Sequence, residues 1–277
     1  MTGPGAADAG TDGDEAAPDA DAADDAAPPV VLKLGGSLIT EKDSPETLDD
    51  DALDAACDAV ADALAAGDVG RLVVVHGGGS FGHHHASEHG VSTTDGTRDA
   101  NAVAAVHGAM KRLNGHVLDR LRERGVPAVP VHPLSLAARA EGADGGLDLP
   151  LGSTATLLGE GFVPVLHGDG VATAGDGVTV VSGDELVVEL AAGLGARRVG
   201  VCSTVPGVLD GDGAVIDAID EFDAVADALG ASDATDVSGG MAAKVRELLA
   251  LDAPAHVFGA DGLGPFLRGE DAGTRID

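Results

Sequence analysis

Short apolar runs alternate with longer amphipathic stretches along most of the chain. The first run, VVLKL at 30–34, ends in Gly35-Gly36 and has the length of a buried strand. Residues 51–67, DALDAACDAVADALAAG, repeat apolar side chains at helical spacing and stop at a glycine. RLVVVHGGG (71–79) is a second strand running into glycines. Residues 98–124 place Val103, Val106, Met110, Leu113 and Val117 on one helical face. VPAVPVH (126–132) and FVPVLHGD (162–169) read as further strands, and GDELVVELAAGLG (183–195) as a helix followed by the strand RRVGVCS. Helices over 221–230 and 239–253, the strand AHVFGA and a helical turn or two in LGPFLRG complete the pattern. No internal repeat interrupts it. The alternation predicts an α/β fold, one αβα sandwich around a central, mostly parallel sheet.

Composition changes the picture at the N-terminus. Residues 1–29 are acidic, rich in Ala, Gly and Pro, and contain no Lys or Arg. Such a segment lacks the apolar surface to bury a core, so we expect a disordered tail and a folded domain over 30–277. The acids continue beyond it: 47 Asp and Glu against 16 Lys and Arg give a net charge of -31. That charge argues against a nucleic-acid partner, which needs basic patches. It suits a halophilic protein, whose carboxylate surface holds water while salt screens the self-repulsion. Cys57 and Cys202 form no disulfide framework and read as small buried hydrophobes in a reducing compartment. No apolar run is long enough to span a membrane, and no signal-peptide pattern is present. A cytoplasmic location is expected.

Candidate chemistry lies where strands end. Gly35-Gly36, Gly77-Gly78-Gly79 and Gly168 with Gly170 all follow predicted strands. Ligands of open α/β sheets bind at that edge, and glycines let backbone N–H groups approach an anion. Several such loops suit a polyanion, although any one of them alone is equally a turn. The four lysines are Lys33, Lys42, Lys111 and Lys244. Three lie beside glycine-rich turns; Lys111, in mid-helix beside Arg112, reads as a solvated charge. Ammonium groups suit phosphate oxygens, and phosphoryl transfer needs little beyond alignment and positive charge.

The motifs VLKLGGSLITEKD, VVHGGGSFGHH, VPVLHGDG, VSGDEL, DVSGGMAAKVREL and AGTRI occur in an order that resembles the amino acid kinase superfamily over essentially all of 30–276. The resemblance implies an N-terminal acceptor lobe and a C-terminal nucleotide lobe, use of ATP and Mg²⁺, and a homodimer. It implies that Lys33, Lys42 and Lys244 contact ATP phosphates, with Lys42 on the transferring group. Gly35, Gly36 and Ser37 would form the first phosphate loop, Asp184 would organise the lysines, and Ser182 and Gly183 would line the same site. Gly239 and Gly240 would cradle the nucleotide. Gly78, Gly79, His83 and Gly168 would hold the acceptor phosphate, with Gly79 serving both ligands. The histidine after GGGSFG implies a phosphate-bearing acceptor, a prenyl monophosphate: isopentenyl phosphate would become isopentenyl diphosphate for isoprenoid synthesis. A fosfomycin-type kinase shares that histidine, and a nucleotide sensor without catalysis is the rival from another class. One departure is Pro206, in STVPGVLDGDG, where relatives often carry an acid.

The stretch HGGGSFGHHHASEH (76–89) contains five histidines. With the resemblance, it reads as a stretch that holds a phosphate: Gly77 to Gly79 give backbone donors and His83 donates to the acceptor phosphate. The zinc reading of HHHxxxH is set aside, so no metal ligands are assigned. His84, His85 and His89 are read as surface or rim residues, and His76, His107, His116 and His132 as structural.

Overall fold

In a computed structural model, residues 27–140, 146–226, 229 and 240–277 are described. Twelve strands among them make two sheets. The main sheet takes β1 (Val30–Leu34), β2 (Leu72–His76), β3 (Ala128–Pro130), β6 (Val163–His167), β9 (Arg198–Cys202), β10 (Ala218–Ile219), β11 (Ala255–Phe258) and β12 (Thr274–Ile276). Its order is β10-β12-β11-β9-β1-β2-β6-β3, and only the β11–β12 pair is antiparallel. This is the expected mostly parallel sheet.

Helices cover both faces. Val30, Leu32 and Leu34 face one core, shared with α2 (Asp50–Ala66), α4 (Ala100–Glu123) and α8 (Leu263–Leu267). Val31 faces the other, with α6 (Gly183–Leu194) and α7 (Gly240–Leu249). The period of two along a strand therefore puts Lys33 on the α6 side. The remaining α-helices given ranges among the described residues are α1 (Gly36–Ile39), α3 (Gly79–Glu88) and α5 (Gly152–Gly159).

Helix ends follow local chemistry. Asp49 caps α2 by accepting from Ala52 N at 3.0 Å, and Gly67 ends it in the left-handed region at φ 78°. Ser182 and Glu185 form a reciprocal capping box that opens α6.

Several features go beyond the sequence reading or depart from it. The proposed tail boundary falls a little late: Pro29 is buried and its carbonyl accepts from Arg197 N, while Ala27 O accepts from Arg71. Residues 1–26 lie outside the described residues. A second sheet, β5 (Leu147–Asp148), β4 (Ala138–Arg139), β7 (Asp169–Thr173) and β8 (Gly177–Val181), was not foreseen. The histidine run, to which the sequence reading gave no element, is helical in α3; of the helix expected over 221–230, Phe222–Ala224 form a 3₁₀ turn, and residues 227, 228 and 230 lie outside the described residues. Both cysteines are free and buried, and burial raises their thiols to about 11 for Cys57 and about 12 for Cys202. Among the described residues, no helix is long and apolar enough to cross a membrane.

Candidate active site

The carboxyl ends of the central strands converge, because each ladder continues one residue into its loop. Gly35 N donates to Cys202 O at 2.8 Å, Gly77 N to Leu34 O at 3.0 Å, and Gly168 N to His76 O at 3.0 Å. The two glycine loops then touch. A Cβ on Gly77 would lie 2.6 Å from Gly36 N, and one on Gly36 would overlap the Gly79 backbone. Gly79 opens α3 at φ 49°, a left-handed backbone that favours glycine. Thr40 fastens the junction: its hydroxyl donates to Gly36 O at 2.8 Å and accepts from Ser80 N at 2.9 Å. Gly168 closes the ring, and a Cβ there would stand 3.6 Å from Gly183 N and 4.0 Å from Gly78 N.

The charged centre lies on the α6 side of this junction. Lys33 Nζ donates to Asp184 Oδ2 at 2.6 Å, and Lys244 Nζ lies 3.8 Å from Asp184 Oδ1. Burial works against ionising Asp184, but the two ammonium groups prevail and hold its carboxyl below the usual range. Asp184 also stands in the first turn of α6, where the helix dipole favours an anion. A half-buried carboxylate facing two ammonium groups, at an edge of close-packed glycines, can fix positive charge against a phosphate chain.

The predicted residues divide into two groups. Lys33, Gly35, Gly36, Gly78, Gly79, Gly168, Gly183, Asp184 and Lys244 are linked by the contacts above or are neighbours in these loops. Ser182 is adjacent, but its hydroxyl accepts from Glu185 N at 3.1 Å as the cap of α6. Gly240 opens α7 at φ 69°, and Gly239 lies outside the described residues. Ser37, Lys42 and His83 are exposed, Lys42 in the turn after Thr40 and His83 in the second turn of α3.

Sequence reasoning missed how the Lys42 loop is held. Glu46 is the only non-glycine residue with positive φ among those described, at 49°. Its carboxylate accepts from Arg112 Nε at 3.1 Å, Arg112 Nη2 at 2.5 Å and His85 Nε2 at 2.5 Å. The same loop joins α3 through Ser80, whose hydroxyl donates to Thr47 O at 3.2 Å. Nothing in the local sequence signalled Glu46, since its partners lie 39 and 66 residues away. The terminal AGTRI segment has a structural use: Thr274 Oγ1 accepts from Val208 N at 2.8 Å, pinning the loop that contains Pro206.

Behind the loops lies a buried imidazole cluster. His76 and His167 stack at 5.5 Å, and His132 Nδ1 stands 2.8 Å from His167 Nε2. His107 meets Asp169 at 2.9 Å. Burial lowers His76 to about 4 and His167 well below its ordinary value. A histidine depressed from 6.5 takes up protons when unfolded before it does when folded. Its contribution is therefore present above about pH 6.5 and lost as pH falls towards 4, an effect of about 3 kcal/mol for His76. Urea unfolding at fixed salt should show stability falling over that window. His76→Gln should flatten the fall; an unchanged slope in that variant would reject the assignment.

A model of the amino acid kinase family matches residues 28–252. The chain is 66% identical over 247 residues to the isopentenyl phosphate kinase of Haloferax volcanii, covering 89% of this chain and 98% of that protein. It is 30% identical over 260 residues to the isopentenyl phosphate kinase of Methanocaldococcus jannaschii, covering 89% and 98%. A solved structure of isopentenyl phosphate kinase superposes with a TM-score of 0.74 at 30% identity, over 89% of this chain and 99% of that one.

Proposed function

The chain belongs to the amino acid kinase family, and from that premise we propose that it transfers the γ-phosphoryl group of ATP to isopentenyl phosphate, giving isopentenyl diphosphate. The observation that carries this reading is the Lys33–Asp184–Lys244 group at the junction of the Gly35-Gly36 and Gly77–Gly79 loops. The 66% identity to the Haloferax enzyme supports the acceptor and its use in isoprenoid synthesis.

In this reading Lys33 and Lys244 bind the ATP phosphates, with Asp184 fixing both ammonium groups, and Gly35, Gly36, Ser37, Ser182, Gly183, Gly239 and Gly240 line the nucleotide side. Gly78, Gly79, His83 and Gly168 hold the acceptor phosphate. An acceptor oxygen, already anionic, attacks the γ-phosphorus in line as the bond to the β,γ-bridging oxygen of ATP breaks, and ADP leaves. No strong general base is required. Lys42, exposed before substrates bind, supplies charge to the transferring group; positioning and charge neutralisation do the rest. The residues present suit a Mg²⁺ that arrives on ATP. Asp184 is committed to Lys33 and Lys244, so a Mg²⁺ ion would be held chiefly through ATP and would supply neutralisation of phosphate charge.

The acidic composition supports work in a salt-rich cytoplasm. A homodimer is part of the proposal, and light scattering in molar KCl reads it directly.

The test is ADP release in molar KCl with Mg-ATP and a panel of isopentenyl phosphate, dimethylallyl phosphate, fosfomycin, glutamate and UMP. Turnover is expected with isopentenyl phosphate, and His83→Ala should reduce kcat/KM for it by roughly a hundredfold while ATP still binds. Preference for another acceptor would overturn the substrate, and silence across the panel would overturn the transferase.

A further inference from the structure

The histidine run is split by the helix that contains it. At 100° per residue, His83 and His85 point to nearly opposite sides of α3. His83 belongs to the acceptor reading, and the second half of the run is unused by it. His85, Glu88 and His89 bring one ligand atom each within 4.8 Å of one another at the end of α3. The spacing follows from the helix: His85 and His89 are one turn apart on one face, with Glu88 between them.

His85 is the prepared member of this group. Its Nε2 stands 2.5 Å from the Glu46 carboxylate, which Arg112 holds from its other side. A carboxylate accepts only, so Nε2 donates to Glu46 and Nδ1 is the ring nitrogen left to face a metal ion. That Nδ1 is buried, has no hydrogen-bond partner, and lies 3.7 Å from Glu88 Oε2. A carboxylate orienting the far nitrogen of an imidazole is the recurrent outer shell of histidine–metal sites.

We propose that His85 Nδ1, Glu88 and His89 form a surface site for one divalent transition-metal ion, with Zn²⁺ the best chemical match. Two imidazole nitrogens and a carboxylate oxygen, with positions left for water, are the ligand set that Zn²⁺ accepts and that Mg²⁺ does not favour. Bonds of about 2.1 Å in a tetrahedron require ligand atoms about 3.4 Å apart. Glu88 and His89 are exposed, so both can move inward by the remaining ångström or so. His84 Nε2 lies 4.0 Å from the same Glu88 carboxylate and competes for it in the metal-free protein. The ion would staple the last turn of α3 and, through His85 and Glu46, steady the Lys42 loop.

The test uses the full chain, stripped with chelator and free of nucleotide, so that its outcome is separate from the transferase reading. Zn²⁺ is titrated by competition with a chromophoric chelator, and the thermal midpoint is followed in parallel. One equivalent is expected to bind and raise the midpoint. His89→Ala and Glu88→Gln, both exposed positions, should weaken binding at least tenfold and abolish the rise, whereas His84→Ala should retain both. Equal binding in wild type and His89→Ala would place the ion elsewhere and reject the site. No binding by the wild type would also reject it.

Discussion

Lys33→Ala is expected to lower kcat by roughly 10²–10³-fold, with a smaller change in KM for the acceptor. Loss of one preorganised electrostatic group at a transferring centre has an effect of that order. Here the group is buried, belongs to a strand, and is held at 2.6 Å by a carboxylate that cannot follow the substrate away. The variant also leaves Asp184 with Lys244 alone, at 3.8 Å. Its carboxyl should then titrate higher, because burial is no longer outweighed by two cations. Breaking the pair should cost about 3 kcal/mol of stability, so activity is best measured in molar KCl with folding verified by circular dichroism. Asp184→Asn should lower kcat through the same two lysines, and the double variant should lose much less than the product of the single losses. A folded Lys33→Ala protein with kcat within tenfold of wild type would remove Lys33 from the chemistry.

Gly36→Ala carries the other large effect. The new methyl group would overlap the Gly79 backbone, which cannot yield as a flexible side chain would. The two glycine loops must then part. Overpacking of this kind costs about 1–3 kcal/mol, and a displacement near 1 Å at a transfer site costs roughly a hundredfold in rate. We expect kcat/KM to fall at least that far in a protein that still folds. Gly115→Ala is the matched control: a Cβ there meets nothing within 4 Å, and the position is inside α4. It should leave activity unchanged and add up to about 1 kcal/mol of stability. A Gly36→Ala enzyme with normal turnover would show that the loops are not held in contact during catalysis.

Much of this was legible before any coordinates. The run VVLKL followed by Gly35-Gly36 specified a buried strand ending in a glycine loop. The apolar spacing of 98–124 gave α4 to within two residues at its start and one at its end. The glycine after the α2 pattern and the Ser182–Glu185 pair marked helix ends, since caps are written in a few adjacent residues. The composition argued against a nucleic-acid partner, and the ordered motifs pointed to the family.

What escaped the sequence depends on contacts between distant segments. The small second sheet is made of strands of only two to five residues, too short for a period of two to stand out. The helix that contains the histidine run carried no clear sequence signal, because its glycines have low helix propensity; in the fold Gly82 lies against Met110 of α4, where a Cβ would stand 2.7 Å from the sulfur. Glu46 gave no signal, since its φ of 49° is sustained by Arg112 and His85 from two other helices. The orphaned Nδ1 of His85 follows from that same contact. The sequence by itself determined which elements form and which chemical groups the strand ends present, because periodicity and caps are local. Tertiary structure alone decided which group faces which, because a side chain's neighbours across 39, 66 or 151 residues are chosen by packing.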